Sequence, residues 1–167
     1  MTTDVTQERL KEVLKYDPIT GEFTWTVNIM CMGAKGLGER AGGTDERGYR
    51  RIRIDGKLYK EHRLAWLYMV GTFPKDQIDH TNCIKGDNRF KNLREATCRQ
   101  NSMNRKIRKN NATGLKGVSA KNQGFQAQIG HENKVYYLGV FPTKETAHQA
   151  YCKKATELQG EFANFGE

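Results

Sequence analysis

The longest unbroken apolar run in the chain is Leu64–Val70, seven residues. A bilayer-spanning helix needs roughly 20, so no stretch of this sequence reads as a membrane span. A core has to be assembled from several short elements. The length of 167 residues allows one ordinary domain or two to three small modules. Hydrophobic residues make up 37%, and the 17 glycines bring the total toward the usual globular fraction. The chain is too apolar to be wholly disordered.

The patterning places these elements. Thr6 reads as an N-cap, with Leu10, Val13 and Leu14 at i, i+3, i+4, which predicts a short helix to about Tyr16. Asp17-Pro18-Ile19-Thr20-Gly21 reads as a turn and Glu22–Thr26 as a strand. Residues 28–48 are rich in glycine without periodicity and read as loop. In Tyr49–Lys60, Arg51 and Arg53 alternate with Ile52 and Ile54, the period of a half-buried strand, and Asp55-Gly56 supplies a hairpin turn. A helix from His62 to Val70 follows, stopped by Gly71. Arg99–Asn111 is polar and basic, either a linker or the tail of a helix. Thr113–Phe141 reads as three short strands. Thr143 then caps a helix with Ala147, Ala150, Tyr151, Ala155 and Leu158 on one face and Gly160 past its end.

Charge adds a functional constraint. The formal net charge is +9, of which residues 1–60 carry +2, residues 61–110 carry +6 and residues 111–167 carry +1. No Asp or Glu occurs from Ala96 through His131. An acid-free stretch beside a basic third leaves a phosphate backbone unopposed, and the expected partner is acidic, nucleic acid above all. Arg51 and Arg53 face outward, as a solvated face or as phosphate contacts. The four cysteines (Cys31, Cys83, Cys98, Cys152) form no CxxC pair, so they read as reduced thiols of a cytoplasm-like compartment rather than as zinc ligands or disulfides. The amino terminus, Met-Thr-Thr-Asp, shows no basic and apolar leader pattern.

The chemistry-bearing segment runs from Gln77-Ile78-Asp79-His80-Thr81-Asn82 through Asp87-Asn88-Arg89-Phe90-Lys91-Asn92-Leu93-Arg94 to Gln100-Asn101-Ser102-Met103-Asn104-Arg105. Asp79 offers a carboxylate oxygen and Asn101 an amide oxygen. Such hard ligands suit Mg²⁺, which binds through few protein groups plus phosphate. His80 titrates near neutrality and can take a proton from an attacking water. These are parts for hydrolysis of a phosphodiester.

The order of His62-Arg63-Leu64-Ala65-Trp66, Ile78-Asp79-His80, Asp87-Asn88-Arg89, Asn92-Leu93-Arg94 and Asn101 resembles the HNH endonuclease family of homing elements and phages, over about residues 49–106. The resemblance implies a ββα-metal finger, two strands and a helix around one divalent ion. His80 then resembles the general base, Asn92 the residue bracing the loop that bears it, and Asp79 and Asn101 the metal ligands. Asn88 and Asn104 are the rival occupants of the middle and third positions. His62, on the preceding helix, is expected to pack or hydrogen-bond rather than ligate. His131 and His148 read as ordinary polar positions.

Thr113-Gly114-Leu115-Lys116-Gly117-Val118, Phe125–Ile129, Tyr137–Phe141, Thr143–Ala147 and Gly160–Phe165 resemble the AP2 DNA-binding domain, over about residues 110–165. That resemblance implies a three-stranded sheet laid in the major groove with a helix behind it. Gln126 and Gln128 would face outward, and Lys116, Ser119, Lys121, Gln128 and Tyr137 resemble the DNA-facing positions. Several positions usually held by Arg or Trp in that family are Ser, Gln or Tyr here, so no target sequence carries over.

The expectation is an α+β chain in three parts: 1–48 as an N-terminal helix, strand and loop module, 49–106 as the HNH nuclease domain, and 107–167 as an AP2-like module. Its function is expected to be metal-dependent cleavage of double-stranded DNA with Mg²⁺, or Mn²⁺ as the alternative. Arg51, Arg53, Arg105 and Lys106 would add phosphate contacts. No protein partner or membrane is implied. A monomer in the cytoplasm of a host cell is expected, with a dimer as the alternative. The rival is a non-catalytic DNA-binding regulator with an inactive nuclease core. An RNA-binding module is disfavoured, since few aromatics cluster as stacking platforms.

Overall fold

The structure is a computed structural model that describes residues 4–28, 36–108 and 110–166. Cys31, part of the expected loop, and Lys109 of the basic segment lie outside the described residues. The fold is mixed α+β, with several small antiparallel sheets, and it divides into two compact units, one reaching Thr97 and one beginning at Cys98. No helix among the described residues is long and apolar enough to cross a membrane.

The first unit opens with α1 (Gln7–Val13), capped by Thr6, whose hydroxyl accepts from the Arg9 N–H. The helix was expected to reach Tyr16 but stops at Val13. Leu14–Asp17 instead forms strand β1, paired with β2 (Glu22–Trp25) in a register that sets Tyr16 against Phe23. Buried Leu14 and Tyr16 alternate with exposed Lys15 and Asp17. Leu14 serves a helical stripe or a strand face equally well, and pairing with β2 decides between them. The expected loop is also not all loop. Gly43–Thr44 forms β3 against β4 (Arg50–Ile54), and Thr24 bridges to Arg40.

The hairpin of β4 and β5 (Lys57–Lys60) forms as its alternation predicts, with Ile52 and Ile54 buried. Helix α2 (Glu61–Val70) follows and ends at Gly71, whose φ of +90° is left-handed. Next come β6 (Gln77–His80) and β7 (Leu93–Ala96), an antiparallel pair set by Asp79 opposite Arg94 and His80 opposite Leu93. Leu10, Leu14 and Phe23 of the N-terminal part and Ile52, Leu64 and Leu93 of the following segment belong to one hydrophobic cluster.

The second unit begins with α3 (Cys98–Met103), so the basic segment starts as a short helix. Strands β8 (Val118–Lys121), β9 (Gly124–His131) and β10 (Lys134–Phe141) make one antiparallel sheet in the order β10-β9-β8. Helix α4 (Lys144–Gln159) starts at Thr143, which accepts from the Thr146 N–H as its capping role predicts. Ala147, Tyr151 and Ala155 of α4 are buried with Val118, Ala127 and Ile129 of the sheet.

One glycine is decisive for the first unit. Gly21, in the β1–β2 turn, has φ of +77°, and a Cβ there would lie 2.3 Å from the Arg89 nitrogen and 2.5 Å from the Asn88 carbonyl carbon. Left-handed backbone costs a non-glycine residue about 1–2 kcal/mol before any clash. Gly21→Ala is therefore expected to lower stability by about 2 kcal/mol or more, read as a fall in the urea unfolding midpoint.

Candidate active site

Strand β6 is buried on both faces near its end. Ile78, Asp79 and His80 are all buried, in a strand too short to show alternation. A buried charge must be paired. Asp79 Oδ2 accepts from Arg94 Nε at 2.9 Å and Nη2 at 2.8 Å. The β6–β7 register places these two residues opposite each other, so local strand pairing creates the ion pair.

His80 has two environments. Its Nε2 lies 3.0 Å from Asn88 Oδ1, in a buried contact. Its ring also meets the His62 ring edge-on, with centroids 5.1 Å apart, and Tyr49 lies within 5.5 Å of His62 and 6.2 Å of His80. Burial lowers the His80 pKa, which the Asn88 hydrogen bond and the Asp79 carboxylate oppose. The imidazole is thereby held neutral near pH 7, the form that can accept a proton.

Asn92, buried at the end of a 3-10 turn over Phe90–Asn92, ties together the loop that follows His80. Its Oδ1 accepts from the Thr81 hydroxyl at 2.6 Å and the Asn82 N–H at 3.0 Å, while its Nδ2 donates to the Asp87 carbonyl at 2.8 Å. Asn82 in turn donates to Asp87 at 2.6 Å. The Asp87 carboxyl sits at about 2, pulled down chiefly by Arg89. One amide side chain thus fastens both ends of the loop 81–87.

Asp79, His80 and Asn92 are brought together in the first unit, whereas Asn101 lies half-buried on α3 in the second. Among the described residues no cluster of three or more His, Cys, Asp or Glu stands ready for a metal. Asp79 offers a hard carboxylate oxygen, the donor type that suits such a cation, but it is buried and already paired with Arg94; Asn101 carries an amide oxygen in the second unit. His62 is buried in the ring cluster and its Nδ1 has no hydrogen-bond partner.

The expected DNA-facing residues fall into two sets. In the first unit, Arg51 is paired with Asp45 at 2.8 Å and Arg53 donates to the Gly56 carbonyl at 2.7 Å. In the second, Arg105 and Lys106 are exposed. Ser119, Lys121, Gln128 and Tyr137 are exposed on the sheet, where the register pairs Ser119 with Gln126 and Tyr137 with Gln128. Gln126 donates to Gln128 at 2.9 Å on that face. Exposed Val135 and Val140, which composition gave no reason to single out, flank them on β10. Lys116 is placed differently: its ammonium donates to the Met103 carbonyl at 2.9 Å and the Arg105 carbonyl at 2.7 Å.

Sequence reasoning missed Arg94 as the counterion of Asp79 and Glu61 as a fully buried acid, ion-paired with Arg50 at 2.8 Å. An acidic residue opening an otherwise apolar helix was the available signal for Glu61.

Comparison with known proteins finds a family match that spans these residues. Residues 59–103 match the HNH endonuclease family model, a span that contains Asp79, His80, Asn88, Asn92 and Asn101. The chain is 35% identical over 109 residues to a protein of Acanthamoeba polyphaga mimivirus named as an uncharacterized HNH endonuclease, L560, covering 65% of this chain. That alignment spans 57% of the mimivirus protein's length. The chain is also 30% identical over 112 residues to Protein 3.8 of Escherichia phage T7, covering 65% of this chain and 92% of the phage protein. No solved structure matches. Residues 59–103 thus carry an HNH endonuclease family match, and the chain has a viral homologue named as an HNH endonuclease.

The buried histidines make stability depend on pH. Burial first, then His80, lowers the His62 pKa from 6.5 to about 3. The unfolded chain binds a proton there near pH 6.5 and the folded chain does not. This contribution is therefore complete above about pH 6.5 and is lost as the pH falls toward 3, at up to about 1.4 kcal/mol per pH unit. Urea unfolding at pH 7.5 and 5 is expected to show that loss. His62→Phe, which removes the titrating group, is expected to flatten the profile.

Proposed function

We propose that the protein is a metal-dependent DNA endonuclease in which His80 is the general base and Asp79 and Asn101 hold a divalent cation. The observation that carries this reading is the end of β6, where a buried carboxylate and a buried, uncharged imidazole are adjacent within the residues that match the HNH family. HNH nucleases generally use divalent metals, and one carboxylate plus one amide oxygen favours Mg²⁺, with Mn²⁺ as the alternative. When bound, the cation would stabilise charge on the phosphate and the leaving oxygen. His80 would take the proton from water, and Asn92 would keep the loop 81–87 from shifting the base.

Residues 107–167, within the second unit, are proposed as an AP2-like DNA-reading module, and residues 49–106 as a nuclease domain. The support is a three-stranded sheet with α4 on one face and Ser119, Lys121, Gln126, Gln128 and Tyr137 on the other. Glutamine reads adenine by a bidentate pair, and lysine takes guanine or phosphate. Arg53, Arg105 and Lys106 are proposed phosphate contacts, and Arg51 would serve once it releases Asp45. Lys116 acts here through the backbone carbonyls it holds. With viral relatives, the setting proposed is the cytoplasm of a host cell, with the protein acting as a monomer.

One observation favours the rival, a DNA-binding protein with an inactive core: Asp79 Oδ2 already takes two hydrogen bonds from Arg94. Plasmid cleavage separates the readings. With Mg²⁺ present, the wild type is expected to nick or cut, and His80→Ala to lose about 10²–10⁴-fold in rate with DNA affinity unchanged in a gel shift. Asp79→Ala and Asn101→Ala are expected to move the metal dependence of cleavage to higher concentration. A wild type that binds but never cuts with Mg²⁺ or Mn²⁺ would decide for the rival.

The sheet face has its own test. Lys121→Ala is expected to weaken binding to all duplexes alike and to lower the slope of log affinity against log salt by about 1. Gln128→Ala is expected to cost about 1–3 kcal/mol of discrimination between sequences, read by competition at fixed salt.

A further inference from the structure

A row of apolar side chains stands exposed on the outer face of the second unit's sheet. Val135, Tyr137 and Val140 of β10 keep 70%, 63% and 46% of their surface open to solvent. Exposed apolar residues scattered singly are ordinary, but a row of them marks a contact surface. Strict alternation from Val135 through Tyr137 would put Gly139 next on that face. The ladder instead slips between Tyr137 and Gly139, so that Gly139 stands opposite buried Ala127 and Val140 opposite Gln126. Gly139 has φ of +121°, a backbone setting that glycine adopts without steric cost. The bulge turns Val140 outward, while Leu138 and Phe141 pack on the inner cluster.

Polar groups of the next strand border this row. The register sets Tyr137 against Gln128 and Val140 against Gln126, and it sets Gln126 against Ser119 on the other side. Adjacent strands run about 4.8 Å apart, so a column of amides lies beside a column of apolar groups. Gln126 Nε2 donates to Gln128 Oε1 at 2.9 Å. Whichever way the two amides are turned, the pair still offers one carbonyl oxygen and at least one N–H.

One base pair has the matching edge. In the major groove adenine shows an acceptor and a donor, N7 and the N6 amino group, and the thymine beside it shows O4 and a 5-methyl group. An amide meets the adenine edge and an apolar side chain meets the methyl, which cytosine lacks. A groove about 12 Å wide admits two strands about 4.8 Å apart. Charge suits the same partner. Strands β8, β9 and β10 contain Lys121 and Lys134 and no Asp or Glu, so flanking phosphates meet no like charge.

We infer that this sheet face reads A·T pairs in duplex DNA, with Val135, Tyr137 and Val140 seating thymine methyl groups and Gln126 and Gln128 taking the adenine edge. The inference rests on the proposed reading of the second unit as a DNA-binding module and names what that module selects. It also separates DNA from RNA, because uracil has no 5-methyl and the major groove of an RNA duplex is too narrow for side chains to read.

The test exchanges thymine for uracil, which removes the methyl and leaves every hydrogen-bonding group in place. The full chain, kept metal-free with EDTA so that nothing is cut, first selects duplexes from a pool with a randomised centre at one fixed salt concentration. The selected duplexes are expected to be enriched in A·T pairs. The tightest of them, resynthesised with uracil for thymine, is expected to bind about 3–4-fold more weakly for each methyl seated, or about tenfold for two, read by fluorescence anisotropy. The double variant Val135→Ser, Val140→Ser is expected to bind the thymine and uracil duplexes alike, with the slope of log affinity against log salt unchanged, since no phosphate contact is lost. A wild type that binds both duplexes equally overturns the inference, as does a double variant that still tells them apart. Should Lys121→Ala weaken every duplex while thymine and uracil bind alike, the module contacts DNA without reading methyls, and the inference alone falls. Should neither Lys121→Ala nor the double variant alter any duplex affinity, the DNA-reading role of the second unit falls with it. A wild type that dimerises in sedimentation and a double variant that does not, with no dependence on thymine, would make the face a contact between two copies and overturn the inference. If the double variant fails to fold by circular dichroism, the wild-type comparison and Val140→Ser alone, expected to narrow the difference, decide it.

Discussion

Burying Asp79 and His80 side by side in one four-residue strand is the constraint around which the first unit is arranged. Neither group tolerates burial without a partner. Arg94 answers Asp79 from the neighbouring strand, and Asn88 answers His80 from the loop. Each partner must itself be satisfied or held. Asn92 ties the loop 81–87 at both ends, and Tyr16 takes the Asn88 carbonyl. The surrounding apolar side chains do little to specify this geometry. They supply the low dielectric that makes each polar contact strong and each missing one costly.

The same constraint explains why the N-terminal helix and hairpin cannot be read as an appendage. Leu10, Leu14 and Phe23 are wholly buried with Ile52 and Leu64. The turn at Gly21 touches the segment that carries Asn88. With no apolar run longer than seven residues, a core around the β6–β7 pair needs side chains from every part of the first unit. The second unit solves a simpler problem: one sheet face and one helix stripe cover each other, and the other sheet face is left polar with a few exposed apolar groups.

The elements legible in the sequence are those whose pattern is local. The β4–β5 hairpin announces itself by alternation and Asp55-Gly56, α2 by its apolar run and Gly71, and α4 by Thr143 and a stripe of alanines. Strand β6 was hidden because three of its four residues are buried, leaving no alternation to detect. Strand β1 was hidden because Leu14 fits a helix and a strand alike, and β3 because two residues of glycine and threonine carry no period. At the candidate site, Asp79, His80 and Asn92 could be named from their order. The placing of Lys116 against backbone carbonyls, and of Asn88 against His80, could not.

The sequence by itself determined which chemical groups are present, their order, and the local elements that carry them. It also determined the concentration of positive charge in the middle third. Only the tertiary structure decided which of several asparagines meets the histidine, which arginine balances the aspartate, and that residues 16–21 bear on Asn88. The reason is physical. Propensity and periodicity act over a few neighbouring residues, whereas a buried hydrogen bond between positions 16 and 88 depends on how separate elements come together around a shared core.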